Sequence, residues 1–304
     1  MDHDFRLGDS FDLIKTIESN SIDLCLTDPP YFLDTLGDEW DTDNIDKRKP
    51  TKPSNVFKSL PKGMKFDREQ GPRFEKFMHD ISMEIKRVLK PGGFMISFSS
   101  ARLYHRMTVG VEDAGFEIRD MIGWTYQGQA KAFSQDHIIQ KQKNLTQEEK
   151  DNLIRELEGW KTAQLKPCIE PMCLAQKPVE GKIIENYLKY GTGLMNTKNR
   201  FQDQFPGNII PVAKPTKKEK GDFNDHVSVK PVELLEHLIK LFTKQGAMVL
   251  DPFLGSGSTL VACENTARRC VGFEISDRYF EIIKKRLKKT TGNGLFGTTS
   301  SATD

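Results

Sequence analysis

The sequence lacks long apolar runs, paired cysteines and any internal repeat. No stretch of the 304 residues approaches the roughly 20 apolar residues that a membrane-spanning helix needs, and no basic and apolar signal opens the chain. We therefore expect a cytoplasmic protein with no membrane segment. The five cysteines are odd in number and form no C-x-x-C pair, and no histidine has ligand spacing, which excludes a disulfide framework and a metal site. The remaining class is a cytoplasmic, enzyme-sized protein.

The sequence also has little excess of charge of either sign, since its net charge is only +2. The charged residues are nevertheless unevenly distributed along the chain. Residues 127–220 contain sixteen Lys and Arg against eleven Asp and Glu, whereas the rest of the chain is slightly acidic. Such a basic stretch is typical of a solvated surface or of a face that meets phosphates, and charge alone leaves both interpretations open.

Alternating strand and helix patterns at both ends of the chain predict an α/β fold, with helices covering a mostly parallel sheet. In residues 1–126, the apolar alternation of 21–27 predicts a buried strand, and 73–89 predict a helix stopped by the KPGG of 90–93. Residues 33–73 are rich in Pro, Gly and charge, and they predict a long loop.

The middle of the chain, residues 127–225, lacks this alternation and predicts a smaller inserted region. It contains one predicted helix at 147–158, which begins with a capping box. The α/β pattern returns over 226–289, so the main domain is expected in two halves. Residues 290–304 have low complexity and are expected to be a disordered tail.

The segment AMVLDPFLGSGSTLVACENTARRCVGFEIS, residues 247–276, predicts a nucleoside-binding unit. A strand, a turn with Gly255 and Gly257, a helix and a second strand follow one another, and the second strand ends at Glu274. Glycines let backbone amides approach a ligand, and an acid at that place holds ribose hydroxyls. The alternative is a tight turn beside an ordinary surface glutamate. Because the turn lacks a third glycine at the dinucleotide spacing, it favours S-adenosylmethionine over a dinucleotide.

A second motif, LTDPPYF at residues 26–32, follows the first predicted strand directly. Together with DPFLGSGST at 251–259, it resembles the catalytic and cofactor motifs of amino-group DNA methyltransferases. The similarity extends to GDS at 8–10, KPGG at 90–93 and HVSVKPVELLEHLI at 226–239. Because the catalytic motif precedes the cofactor motif, the chain resembles the permuted beta group of that family, of the DPPY type.

This resemblance implies a class I S-adenosylmethionine-dependent methyltransferase fold with circularly permuted motif order. Residues 127–225 would then be the target-recognition region. An exocyclic amine is a poor nucleophile, so it must be aligned with the methyl sulfonium, and a duplex base must first flip out. Asp28 would accept one N–H of the amine and the Pro29 carbonyl the other, Pro30 would help to fix the backbone, and the ring of Tyr31 would stack on the base.

The resemblance and the glycine-rich turn also imply a set of cofactor-binding residues. They are Asp9, Asp28, Lys230, Asp251, Phe253, Gly255, Ser256, Gly257 and Glu274. The alternative interpretation of Asp9 is an exposed aspartate in a turn. The alternative interpretation of Lys230 is a lysine at the start of a helix with no contact to the cofactor. Phe32 is either a pocket wall or a core aromatic, and Trp40 either covers the flipped base or packs on the body.

The resemblance implies methylation of adenine N6 in double-stranded DNA, because Asp28 stands where cytosine enzymes of the family more often have Ser. N4-cytosine methylation and an RNA or protein substrate stay open. An oxidoreductase would need a second nucleotide site, which is not visible in the sequence. A DNA-binding module without catalysis would have damaged motifs, and both are intact. A homodimer and a cognate restriction endonuclease are open as partners, in a bacterial or phage-infected cell.

Overall fold

The computed structural model describes residues 2–31, 69–224, 226 and 228–293. Phe32, Trp40 and nearly all of the predicted loop lie outside these described residues. The strands are β1 Asp4–Leu7, β2 Ile22–Thr27, β3 Leu89–Phe98, β4 Glu117–Thr125, β5 Ile169–Gln176, β6 Ile209–Pro211, β7 Met248–Asp251 and β8 Arg269–Glu274. The helices are α1 Ser10–Leu13, α2 Gln70–Val88, α3 Tyr104–Asp113, α4 Asp136–Gln140, α5 Gln147–Glu156, α6 Ile183–Tyr190, α7 Lys217–Lys220, α8 Val232–Phe242, α9 Ser258–Asn265 and α10 Asp277–Asn293.

These strands form one sheet in the order β1-β8-β7-β2-β3-β5-β4-β6. Five of the seven neighbouring pairs are parallel, and the two antiparallel pairs are those that β5 makes with β3 and β4. The predicted α/β fold with a mostly parallel sheet is confirmed. No helix among the described residues is long and apolar enough to span a bilayer.

Both faces of the sheet are covered by helices, which explains the nearly continuous apolar sequence of the central strands. Leu24 and Leu26 of β2 pack in one cluster with residues of α8 and α9. Cys25, which lies between them and points the other way, packs in a second cluster with α2 and α3. The alternation therefore divides one strand between two hydrophobic cores.

Strands β2 and β7 are neighbours at the centre of the sheet, and the chain leaves them in opposite directions. After β2 it returns to the sheet at β3, whereas after β7 it crosses through α9 to β8 on the other side. In open α/β sheets such a reversal opens a crevice at the carboxyl ends of the strands, where ligands bind. A hydrogen bond joins the two strands at this point, because the Thr27 hydroxyl at the end of β2 donates to the Asp251 carboxylate at the end of β7 at 2.8 Å.

The predicted inserted region, residues 127–225, contributes two strands to the sheet. Strand β5, from within residues 127–225, lies between β3 and β4, and β6 adds a further strand beside β4. The sequence IEPMCLAQ of β5 is apolar enough for a buried strand, but Glu170 and Pro171 interrupt its pattern. The segment is therefore continuous with the sheet, and its boundaries and its target-recognition role stay predictions.

Three local predictions can be compared directly with the structure. The helix at 147–158 is confirmed as α5, with the capping box of Thr146 and Glu149. The KPGG of 90–93 does not itself end α2, because the helix stops at Val88 and KPGG lies in a bulged part of β3. The tail prediction began too early, since α10 continues to residue 293. Its remainder lies outside the described residues.

Candidate active site

A cavity of about 410 Å³ opens at the carboxyl ends of β2 and β7, where the chain direction reverses. This volume is in the range of small-molecule sites. Nine of the predicted site residues line it: Asp28, Pro29, Pro30, Tyr31, Lys230, Asp251, Phe253, Gly255 and Ser256. The catalytic motif and the cofactor motif, more than two hundred positions apart in sequence, therefore form two walls of one cavity.

The other three predicted residues, Asp9, Gly257 and Glu274, do not line this cavity. Asp9 is exposed after β1 and caps α1, because its carboxylate accepts from the Phe11 amide at 2.8 Å. Glu274 ends β8 and is only 1% exposed, and one of its carboxylate oxygens accepts from the Ser276 amide at 2.9 Å. Asp9 thus lies just after the carboxyl end of β1, and Glu274 lies at the carboxyl end of β8. These two strands are on the side of β7 that faces away from β2.

The two glycines of the turn after β7 have different surroundings. Both have positive φ, +52° at Gly255 and +80° at Gly257, which other residues rarely adopt. A Cβ on Gly255 would lie 2.8 Å from Nε2 of His226, on the cavity side. A Cβ on Gly257 would lie 3.1 Å from Ile283 of α10. Gly255 therefore lets the turn pack against the His226 ring, whereas Gly257 lets it pack against a helix.

Arg286 holds this turn in place from below, a role that sequence reasoning missed. Its guanidinium donates to the Ser256 carbonyl at 2.9 Å and to the Ser258 hydroxyl at 3.1 Å. The residue is 5% exposed, and burial lowers its pKa to about 10, so the group stays charged at neutral pH. The signal was present, because Arg286 continues the apolar stripe of Tyr279 and Ile283 on α10.

Four side chains, those of Asp28, Tyr31, Glu170 and Lys230, form a cluster of charges and hydrogen bonds. This cluster lies on the cavity wall opposite the glycine-rich turn. The Lys230 ammonium contacts the Asp28 carboxylate and lies 2.9 Å from Oε1 of Glu170. The Tyr31 hydroxyl contacts Asp28 as well, and it lies 3.0 Å from the same Glu170 oxygen. Ser228 adds a hydroxyl 2.8 Å from the ammonium. One ammonium and one phenol are therefore shared between two carboxylates.

Burial sets the ionisation of this cluster. It would lower the pKa of Lys230, but Asp28 and Glu170 outweigh it and raise that pKa, so the ammonium stays protonated. Burial raises the pKa of Glu170. The ammonium of Lys230 opposes this rise and the Asp28 carboxylate adds to it, and the net effect is a raised pKa. Burial also raises the pKa of Asp251 to about 6. The cavity is lined by three acidic side chains, Asp28, Glu170 and Asp251, against the one ammonium of Lys230, an excess that suits a cationic ligand.

Glu170 is the second functional residue that sequence reasoning missed. It lies on β5 and reaches the cavity between Lys230 and Tyr31. Its signal was a single acid inside an apolar strand, where an unpaired carboxylate would be costly. His226, to which we assigned no role, also lines the cavity, and burial lowers its pKa to about 4, so its ring is neutral.

Metal ligation has no support in the ranges that the structure describes, since no three His, Cys, Asp or Glu side chains there could hold an ion together.

Comparisons with known proteins agree with this geometry. A family model described as DNA methylase (N6_N4_Mtase) matches residues 22–285, which include all four charged residues of the cavity wall. The type II methyltransferase M.HindIII of Haemophilus influenzae is 28% identical over 299 residues, covering 92% of this chain and 93% of that protein.

Two solved structures share the fold. PvuII DNA methyltransferase, which is cytosine-N4-specific, superposes with a TM-score of 0.64 at 15% identity, covering 96% of this chain and 91% of that one. TTHA0409 of Thermus thermophilus, solved with S-adenosylmethionine, has a TM-score of 0.56 at 20% identity and full coverage of both chains, 100% each. The class I S-adenosylmethionine-dependent methyltransferase fold expected from the sequence is confirmed.

The raised pKa of Asp251 makes a prediction for stability. A carboxyl whose pKa rises from 3.8 to about 6 on folding stabilises the fold while protonated, and this contribution is lost as the pH rises through 6. Asp251→Asn stays neutral and keeps an oxygen for the Thr27 hydroxyl. Its free energy of unfolding should therefore gain on the wild type by up to about 3 kcal/mol between pH 4 and pH 7.5.

Urea unfolding of both proteins at the two pH values measures this gain. Asp222→Asn, at an exposed position, is the control and should show no comparable change. An Asp251→Asn difference that is the same at both pH values would contradict the prediction.

Proposed function

The chain belongs to the DNA methylase family, and from this premise we propose that it methylates the N6 amino group of adenine at a specific site in duplex DNA. S-adenosylmethionine is the methyl donor of the family fold. The observation that most supports the proposal is the meeting of Asp28, Pro29 and Tyr31 with the glycine-rich turn in one cavity. The order of the two motifs along the chain supports the permuted beta group.

The charged lining of the cavity supports S-adenosylmethionine as its ligand. The carboxylates of the wall complement a sulfonium cation, and the glycine-rich turn forms part of the same wall. When bound, S-adenosylmethionine supplies an electrophilic methyl group. We assign Glu274 to the ribose hydroxyls and Asp9 to the adenine end of the cofactor, with Asp251, Phe253 and Ser256 lining its path.

Asp28, Pro29 and Tyr31 act on the target base. Conjugation with the ring makes the exocyclic amine a poor nucleophile, so a carboxylate and a carbonyl that accept its two N–H groups align its lone pair. The two prolines fix φ at roughly −65° and hence the direction of the Pro29 carbonyl. Alignment and electrostatics of this kind contribute several kcal/mol. The target nucleotide must leave the duplex to reach the cavity.

Lys230 was predicted as a cofactor-binding residue, but its contacts favour a place on the catalytic side of the cavity. The residue is 4% exposed, and its ammonium pairs with Asp28 and Glu170. We therefore assign Lys230 to the catalytic side of the cavity.

We keep residues 127–225 as the target-recognition region, although they also supply β5 and β6. Helix α5 has no buried residue, and Trp160 just after it is 73% exposed, so this part presents its side chains outward. The segment KPTKKEKGD, residues 214–222, is a basic connector. Its Lys214 ammonium lies 4.1 Å from the ring centroid of Tyr126, which lines the cavity. This position of Lys214 beside the cavity supports a contact between the connector and DNA phosphates.

N4-cytosine methylation is the second candidate, supported by the cytosine-N4 specificity of the PvuII enzyme and its TM-score of 0.64. Asp28 in the catalytic motif favours adenine. The type II designation of M.HindIII supports a cognate restriction endonuclease as a partner, and its source supports a bacterial or phage-infected cell. The homodimer stays a prediction.

The product of the reaction tests this function. The enzyme should convert methylation-free duplex DNA to DNA containing N6-methyldeoxyadenosine, identified by mass spectrometry after hydrolysis to nucleosides. Asp28→Ala should lower turnover by about 10²-fold or more while S-adenosylmethionine affinity changes little. N4-methyldeoxycytidine would contradict the choice of adenine. More than about a tenth of wild-type turnover in Asp28→Ala would contradict the role of this carboxylate.

The assignment of Glu274 makes a separate prediction for the cofactor. Loss of a charged hydrogen-bond acceptor in Glu274→Ala should weaken S-adenosylmethionine binding about tenfold or more by calorimetry, with the methylated DNA sequence unchanged. Glu281→Ala, an exposed glutamate of α10, is the control. Unchanged affinity in Glu274→Ala would argue against the ribose contact. Gly255→Val should be worse, since its branched side chain would collide with His226.

The basic connector makes a prediction for DNA binding. Its lysines should neutralise phosphates, each adding roughly 0.9 to the slope of log affinity against log salt. Neutralising them together should lower that slope and leave the methylated sequence unchanged, because phosphate contacts carry no base information. The four lysines are Lys214, Lys217, Lys218 and Lys220.

Lys15 and Lys76, which pair with acidic neighbours on α1 and α2, serve as the control. If the slope of log affinity against log salt is the same after the four connector substitutions, this segment is only a solvated surface.

A further inference from the structure

We propose that Glu170 is a positioning residue that takes Lys230 and Tyr31 away from Asp28 when the target base enters the cavity. The inference rests on the proposed function, because it concerns the same amine and the same carboxylate. It assigns a role to a residue outside both sequence motifs.

Asp28 has little capacity left for a substrate in the structure. One of its oxygens contacts the Tyr31 hydroxyl, and the other contacts the Lys230 ammonium, with the Ser228 hydroxyl 3.4 Å away. A carboxylate engaged in this way attracts an incoming N–H weakly, since a neighbouring ammonium compensates its charge. The amine of a flipped base therefore competes with two donors from the protein itself.

Glu170 is already within hydrogen-bond distance of both donors and offers each of them a second acceptor. Its Oε1 atom lies 2.9 Å from the Lys230 ammonium and 3.0 Å from the Tyr31 hydroxyl, which are the two groups that engage Asp28. Shifting both donors fully to Glu170 leaves neither of them unpaired. That condition matters because the Lys230 side chain is only 5% exposed and an unpaired buried ammonium is costly.

The charges also favour the exchange once a base is present. With Lys230 paired to Glu170, Asp28 keeps its full negative charge for the amine, whose nitrogen gains positive charge as the methyl group is transferred. Stabilising charge where it develops is a large contribution to catalysis in a site shielded from water. In this arrangement Glu170 never touches the base and acts through Asp28 alone.

The test compares single-turnover methylation by the wild type and Glu170→Gln. Glutamine keeps the size of the side chain but lacks the charge that draws Lys230 away from Asp28. The rate of methyl transfer should fall about tenfold or more, within the coupling measured for residues of one ion-pair network. Affinities for S-adenosylmethionine and for duplex DNA should change less than about twofold. Glu117→Gln, on neighbouring β4 and exposed, is the matched control.

A double-mutant cycle with Lys230→Met separates positioning from a merely structural effect. Without an ammonium there is little to divert from Asp28, so Glu170→Gln should cost less than about threefold in that background. Rates are expressed per S-adenosylmethionine-binding site, which corrects for any misfolded fraction. An equal cost in both backgrounds, or an unchanged rate in Glu170→Gln alone, would overturn the proposal. If the proposed function fails instead, the wild type itself forms no N6-methyladenine.

Discussion

The ion pair between one buried ammonium and two carboxylates is the interaction on which the site depends. Lys230 precedes α8, Asp28 follows β2 and Glu170 lies on β5, so one point fixes three distant parts of the chain. Removing the ammonium would leave two carboxylates close together in a poorly solvated place, where their repulsion is strong. The architecture of the cavity and its electrostatics are therefore set by the same contact.

The motifs predicted the two central parts of the site because their information is local. The apolar sequence of β2 and the strand, turn and helix after Met248 specify their own structures, and both lead to strand ends. Glu170 was missed because its partners Lys230 and Tyr31 are 60 and 139 positions away, and Arg286 because Ser256 is 30 positions away. Local pattern does not encode such contacts. The position of β5 between β3 and β4 was missed for the same reason.

The hydrogen bond between Thr27 and Asp251 shows why motif order along the chain matters little to the site. It joins the ends of two adjacent parallel strands, one from each half of the domain. A cavity at the carboxyl ends of a sheet depends on which strands are neighbours, and not on which comes first in sequence. Either motif can therefore be encoded first without altering the contacts between them.

Strand β5 has a consequence for how such proteins diversify. The eight residues that insert between β3 and β4 also carry Glu170, and they come from the same stretch as the outward-facing helix α5. A chain that acquired residues 127–225 from a relative would receive two strands of the sheet and an acid of its catalytic cavity along with the new surface. If residues 127–225 select the target as proposed, specificity in this scaffold is inherited together with part of the core, and an exchangeable module that leaves the sheet intact would have to end before Ile169.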